Sequence, residues 1–434
     1  MKCTDFLILQ FEPFGRDPEA IFPLAWYLEH VFHYKVQFGS MMDARYLIDM
    51  NKPKVLLLNN IVGNEFNIIA AKYAYNCGVK VISLISEGLY FEYEKNPKEL
   101  FWGDLKEHAV CWHKMFFWSD HFLQKMSLYH RKLKKTFDVS GSTAIDRLLM
   151  YSHKTRYDVL KKYRKNEYKK VVTYFGYNFS VFFKKELYHN YNISDSLASL
   201  FCNDYLQTKD LLYKVIQKNK DILFILKKHP TELSIHREID YSWSEENIIF
   251  LEDQEAIGDL IGISDIIFVY DSTVSYEAYA LHKPVVNFVP NKRIQYKNDS
   301  YLGNVHVDSV QSAQKIIDEF YRTGNIKQFN NLEKIRQSII RRDLYAADGL
   351  NSWRTAKKIN IFLNSVVYTR KSSFSLYGYL LHIFLVYNQL LFWIPKFNKS
   401  FILRYYNKFD TIYKLKNRYD PQIKRYYKKY IEIN

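Results

Sequence analysis

The chain has 434 residues, 48% of them hydrophobic and 25% charged, an ordinary globular composition with length for two substantial domains. Its formal net charge is +16, and 17% of its residues are aromatic, including 37 Tyr and 31 Phe. A positive balance of that size favours polyanionic partners, either nucleic acid or an anionic membrane surface, although AT-rich coding also yields Lys, Tyr, Asn and Ile. The four cysteines, Cys3, Cys77, Cys111 and Cys202, are scattered without paired spacing. That argues against a zinc site or a disulfide framework and fits a reducing cytoplasm.

MKCTDFLILQFEPFG has too short an apolar stretch before Glu12 and Pro13 for a secretory signal, so it reads as a first strand in a protein that stays in the cytoplasm. From there short apolar runs alternate with longer amphipathic ones. Strands are predicted at 6–11, 35–38, 54–60 and 80–86, and helices at 18–32, 42–50 and 65–78. The lysine-rich segment 153–170 divides this region from a second one. There strands are predicted near 169–177, 221–230, 247–253, 265–270 and 284–289, with helices at 195–219, 255–264 and 272–282. Such alternation indicates βαβ units and parallel sheets, whose ligands usually sit beyond the carboxyl ends of the strands.

Further helices are predicted at 309–322, 328–342 and 347–366, the last with Asp348 and Asn351 as caps. Residues 374–397 hold no charge until Lys396 and approach the length of a membrane span. His382, Asn388, Gln389 and several tyrosines are costly at a bilayer centre, which ranks an interfacial or domain-packed helix above a spanning one. A tail dense in Tyr, Lys and Arg follows, ending in KRYYKKY at 424–430.

Two strand ends draw the chemistry. DIIFVY runs into Asp271-Ser272-Thr273 and the helical pattern of STVSYEAYALH. The turn sets backbone amides and the hydroxyls of Ser272, Thr273 and Ser275 at the strand's carboxyl end, a setting suited to a phosphate. The plain alternative is that Asp271 or Ser272 only caps the helix. FILKKHPTE ends another strand, where Lys228 and His229 offer cationic or donor groups and Pro230 fixes the turn. Together the two ends suggest a cradle for a nucleoside mono- or diphosphate, with Glu277 one turn beyond Thr273 and in reach of ribose hydroxyls. The alternative for His229 is a loop histidine with no ligand.

In these residues the sequence resembles GT-B glycosyltransferases of bacterial surface polysaccharides. Lys-Lys-His-Pro followed by ISDIIFVYDSTVSYEAYALHKPVVNF is similar to the donor half of Kdo-transferase-like capsule and lipopolysaccharide proteins. CDP-glycerol polymerases and polysialyltransferases are looser matches. ISLISEGLYFE, FFWSDHFLQ, FDVSGSTAIDRLL and DGLNSWRTAKKI resemble further short motifs of that group, across roughly residues 80 to 360. Asp271 stands where Gly is usual, and Ser119 replaces the Gly after Trp118.

The resemblance implies an α/β fold of GT-B type, with two Rossmann-like domains facing a central cleft and a C-terminal helical extension. Residues 1–152 would form the acceptor domain, 153–168 a basic linker and 169–346 the nucleotide-sugar donor domain. Residues 347–434 would supply a closing helix and a membrane-associating tail. It implies donor roles for His229, Ser272, Thr273 and Glu277, and Lys228, Pro230, Asp271 and Ser275 complete the expected donor-binding set. Glu87, at the end of KVISLIS, is the first candidate for a general base, with Asp120 and Asp146 behind it. Each of the three also reads as a strand-end or helix-start residue.

The implied activity is metal-independent transfer of a sugar to a growing capsule or lipopolysaccharide glycan. A CMP-sugar such as CMP-Kdo is the favoured donor, no cofactor is expected, and the acceptor is lipid-linked or polysaccharide. The enzyme would lie on the cytoplasmic face of the inner membrane, against anionic lipid. A CDP-glycerol-type polyol-phosphate transferase is the first alternative. A sugar-nucleotide epimerase would need acidic pairs that the sequence does not display. A basic nucleic-acid-binding protein is the alternative from another class, opposed by the absence of an RNA-recognition pattern in the aromatics.

Overall fold

The structure, a computed structural model, describes residues 4–11, 13, 15–60, 65–85, 110–190, 193–229, 243–252, 255–290, 301–368, 374–391 and 408–432. The chain divides into two compact units: residues 1–152 with 341–434, and residues 153–340.

The first unit opens with β1 (Phe6–Gln10), α1 (Arg16–His30), β2 (Val36–Ser40), α2 (Ala44–Asn51), β3 (Val55–Leu58), α3 (Glu65–Asn76) and β4 (Lys80–Ser83). It continues with β5 (Lys114–Phe117), α4 (Asp120–Tyr129), β6 (Phe137–Val139) and α5 (Thr143–Met150). All six strands are parallel, in the order β2-β1-β3-β4-β5-β6. Strands such as VLLL at 55–58 are apolar throughout because both faces are covered. Phe6 and Ile8 pack with α1, and Leu7 and Leu9 with α2 and α3. The apolar pattern does not single out β5 and β6, which are only four and three residues long.

The second unit holds α6 (Arg156–Lys162), β7 (Lys170–Phe175), α7 (Lys185–Asn190), α8 (Asp195–Lys218), β8 (Ile222–Lys227), β9 (Ile248–Leu251) and α9 (Ile257–Ile263). After it come β10 (Ile266–Val269), α10 (Val274–Ala280), β11 (Val285–Phe288), β12 (Val305–Val307), α11 (Val310–Thr323), α12 (Lys327–Asn331) and α13 (Glu333–Leu344), which runs across the unit boundary. Its sheet is also parallel, in the order β12-β11-β10-β7-β8-β9. The chain leaves β7 on one side for β8 and β9, then crosses to the other side for β10. The switch point of this sheet therefore lies between β7 and β10.

The basic segment expected as a linker is folded onto this unit. Thr155 and Asp158 close a capping box at the start of α6, and Val159 and Leu160 are buried. Lys154 and Lys162 both reach the Glu255 carboxylate at 2.5 Å, while Arg156 meets Asp265 at 2.5 Å. Its cations have partners in the same unit, so their number does not make the segment a spacer.

Among the described residues of 341–434, α14 (Asn351–Asn364), α15 (Leu376–Leu391) and α16 (Thr411–Tyr430) also belong to the first unit. Ile359, Leu363, Ile412 and Ile423 are buried in one core with Phe22, Tyr27 and Phe38. The turn before α5 fixes the start of α14. Gly141 takes φ 89, and a Cβ there would collide with the Asn351 side chain. Asn351 Nδ2 in turn donates to the Ser142 and Ala346 carbonyls at 3.0 and 2.9 Å. Among the described residues, no helix is long and apolar enough to cross a membrane.

Candidate nucleotide site and its surroundings

In the second sheet Lys227, Phe175 and Val269 stand in one register row. The chain segments that follow them, Lys228-His229, Gly176-Tyr177 and Tyr270 to Thr273, thus leave the sheet at the same edge. β8 and β10 flank β7, so their ends are two strand spacings apart, roughly 10 Å. The Gly176 amide donates to the Lys227 carbonyl at 2.9 Å, which ties the β7 exit to the β8 exit.

The turn after β10 is held from below. Asp271 takes φ 38, in the left-handed region that Gly enters without cost. That explains why Gly would serve at this position, and Asp is one of the few other residues that tolerates it. Its backbone amide donates to Asn287 Oδ1 at 2.8 Å, and Asn287 Nδ2 donates to Asp271 Oδ1 at 2.7 Å. Burial raises the Asp271 pKa, and the Asn287 amide opposes that rise. Asn287, 1% exposed in β11, is a supporting residue that the sequence reading missed. A lone amide inside PVVNFV was its signal, because a buried polar group needs a partner.

Ser272 Oγ accepts from the Val274 amide at 3.3 Å, and Thr273 is exposed just before α10. Ser275 lies differently: it is fully buried, and its hydroxyl accepts from Asn304 Nδ2 at 3.1 Å. Glu277 is also buried, in the first turn of this helix. Tyr270, which leads into the turn, donates its hydroxyl to Asp204 Oδ2 at 2.6 Å. Burial pushes the Asp204 carboxyl up to about 6 even against that bond. Tyr270 also packs in an aromatic cluster with Tyr177, Phe179 and Phe201, which roofs the β7 exit.

At the β8 exit the lysines are engaged with the end of β9. Lys227, 6% exposed, donates to the Glu252 and Lys228 carbonyls. Lys228 Nζ lies 3.8 Å from the Glu252 carboxylate. His229 follows half-buried, and Pro230 lies outside the described residues.

The acidic candidates belong to the first unit. Glu87 is outside the described residues. Asp120 is the exposed first residue of α4, whose cap is Ser119, with Oγ accepting from Phe122 N at 3.3 Å. A capping serine accounts for the residue that follows Trp118. Asp146 is fully buried in α5, where Oδ2 accepts from the Ser352 amide at 2.5 Å. Burial pushes its carboxyl up to about 7, opposed by the Ser352 and Asn351 amides. Among the described residues, no three His, Cys, Asp or Glu side chains gather as a metal site.

No protein-family model matches the sequence, and no curated protein matches it either. Solved structures do match. The S. aureus MnaA–UDP structure is 16% identical with a TM-score of 0.54, covering 86% of this chain and 100% of that one. UDP-GlcNAc 2-epimerase from Neisseria meningitidis, bound to UDP-GlcNAc, is 14% identical with a TM-score of 0.50, over 83% and 100% of the two chains. The wall teichoic acid polymerase TagF is 12% identical with a TM-score of 0.51, over 83% and 89%. At these identities the likeness concerns the fold. The two six-stranded parallel sheets with flanking helices are the two Rossmann-like domains of a GT-B fold.

Proposed function

We propose that the protein is a GT-B glycosyltransferase that binds an activated nucleotide sugar on its second unit and extends a bacterial surface glycan. The observation that carries this reading is the shared sheet edge, where Lys228-His229 and Ser272-Thr273 flank the β7 exit beside the switch point. Backbone amides and Thr273 bind the donor phosphate, and His229 donates from the opposite side. The Asp271–Asn287 clamp holds the turn in that geometry. Glu87 is the general base that takes the proton of the acceptor hydroxyl. A CMP-sugar is the donor class implied by the sequence resemblance, while UDP ligands in two of the matching structures make uridine nucleotides the comparison to run. The acceptor is a lipid-linked or polysaccharide glycan, which sets the enzyme on an anionic membrane surface.

The test is nucleotide binding by the full chain, using CMP, CDP, UDP and GDP in thermal-shift and calorimetric titrations. One pyrimidine nucleotide stabilises the protein, and His229→Ala and Thr273→Val each weaken that nucleotide by roughly 10–150-fold, the worth of one hydrogen bond to a charged group. Glu87→Gln leaves nucleotide affinity unchanged and lowers turnover by roughly 10²–10⁴-fold. Unchanged affinity in both donor-site variants removes the cradle. Near-normal turnover in the Gln variant removes the base.

A further inference from the structure

Helix α15 packs chiefly by one side, and at the edge of its other side the Arg45 guanidinium lies over the Tyr377 ring, 5.1 Å from the centroid. Tyr379 donates its hydroxyl to Met50 Sδ at 2.7 Å, His382 stacks on Tyr46 with ring centroids 3.8 Å apart, and His382 Nδ1 lies 3.2 Å from Asp43 Oδ1. On the other side Leu376, Tyr377, Leu380, Ile383, Phe384 and Tyr387 are each between 57% and 62% exposed. At about 100° per residue these six fall within an arc of roughly 120°. Large side chains exposed to that degree sum to an apolar patch on the order of 600 Å², at the upper end of what a monomer leaves open. The helix itself holds no charged residue.

A second surface of the same unit is its complement. Helix α16 buries Ile412, Tyr419 and Ile423, while Lys414, Arg418, Lys424, Arg425, Lys428 and Lys429 stand on its exposed side. Those six cations fall within an arc of roughly 140°. Both helices are anchored on one short stretch around β2. Tyr413 of α16 donates to the Phe38 carbonyl and accepts from the Phe38 amide, each at 3.1 Å, and α15 holds Asp43 and Tyr46.

We propose that the β2 edge of this unit, flanked by the two helices, docks on an anionic lipid membrane, with α15 lying in the interface and the α16 cations meeting lipid headgroups. Tyr377, Phe384 and Tyr387 are the residue types that settle at headgroup depth. The 16 residues of α15 span about 24 Å, short of the hydrocarbon core, so the helix lies on the bilayer. A second copy of the chain is a poorer occupant, because two molecules of formal charge +16 repel. The proposal deepens the transferase reading by naming where the enzyme meets its acceptor, but it rests on α15 and α16 alone. Nucleotide binding can therefore fail while docking stands, and the reverse.

The experiment is flotation of the full chain with vesicles of phosphatidylcholine, with or without 30% phosphatidylserine. The intact protein floats with the anionic vesicles at low salt, and the floated fraction falls several-fold in 0.5 M salt. The triple variant Leu380→Asn, Phe384→Asn, Tyr387→Ser keeps its melting temperature and loses at least tenfold in vesicle affinity. The variant Lys414→Glu, Lys424→Glu, Lys428→Glu abolishes the preference for phosphatidylserine. Intact protein that stays at the bottom of the gradient overturns the proposal, as does a triple apolar variant that floats like the parent. A dimer in ultracentrifugation that the apolar variant disperses, without vesicle binding, makes the face a self-interface and overturns it too.

Discussion

Asp146 has no exposed surface, and its carboxyl is pushed up to about 7 chiefly by burial. Among the described residues Oδ1 has no hydrogen-bond partner, so the charged form sits in the interior with the Ser352 amide on the other oxygen. The raised value means that the folded state holds this proton at pH values where the unfolded chain has released it. Stability from this group is therefore present at low pH and is lost as pH rises from about 4 to about 7, by a total on the order of 4 kcal/mol. Asp146→Asn keeps an acceptor for Ser352 and removes the titration. Its melting temperature relative to the parent should rise between pH 5 and pH 8, and parallel curves across that range would refute the assignment. The same residue marks the limit of reading a site from sequence. An aspartate four residues into a helix pattern looks like any first-turn acid, and only the return of α14 onto α5 buries it. The position of Ser272 and Thr273 between a strand end and a helix was legible, because a strand end followed by hydroxyls is a local signal. Ser275 was not, because its partner Asn304 arrives from 29 residues away.

Among the elements, most strands were legible as apolar runs and most helices as amphipathic ones, since both periods are local properties of the chain. Very short strands escaped: β12 has three residues, and its middle one, His306, is exposed. The helical pattern at 328–342 is broken at Leu332 into α12 and α13. Helix α14 begins at Asn351 rather than 347, because Asp348 Oδ1 takes the Leu350 amide at 3.0 Å before the first turn. The C-terminal tail is the larger difference. Its lysines read as a membrane-associating tail, and besides that exposed side α16 inserts Ile412, Tyr419 and Ile423 into the first unit's core. Tyr419 stacks on Tyr151 with centroids 4.0 Å apart, and Lys416 is buried between Glu29 and Asp420 at 2.7 and 2.9 Å. Ile423→Ala should then cost about 2–4 kcal/mol in urea unfolding, from lost burial and the cavity left behind. Lys424→Ala, one residue on and exposed, should stay within about 0.5 kcal/mol. Equal small effects at both positions would show that α16 is not part of the core. Removing residues 408–434 would strip that core, so point variants are the sound way to probe the tail's surface.

At the scale of the whole molecule, alternating strands and helices announced two parallel α/β regions, but not which helices complete which unit. Residues 341–434 show an amphipathic face in sequence, and any core of suitable size could bury it. Its partners, Phe22, Tyr27 and Tyr151, lie some two to four hundred residues away. Strand order was equally hidden, because the crossover from β9 back past β7 to β10 leaves no local mark. Once the order is known, the proposed donor nucleotide has one place to be looked for, since three strand ends at one edge can be contacted together. Hydrogen exchange with and without the stabilising nucleotide reads that placement directly. The amides of residues 175–177, 227–229 and 271–275 should exchange more slowly at saturation, by tenfold or more if the nucleotide is held well above its Kd. The carboxyl ends of β1 and β3, at Phe11, Asn59 and Asn60, should be unchanged by free nucleotide. Protection confined to those first-unit residues would move the nucleotide to the other sheet and take the proposed roles of His229 and Thr273 with it.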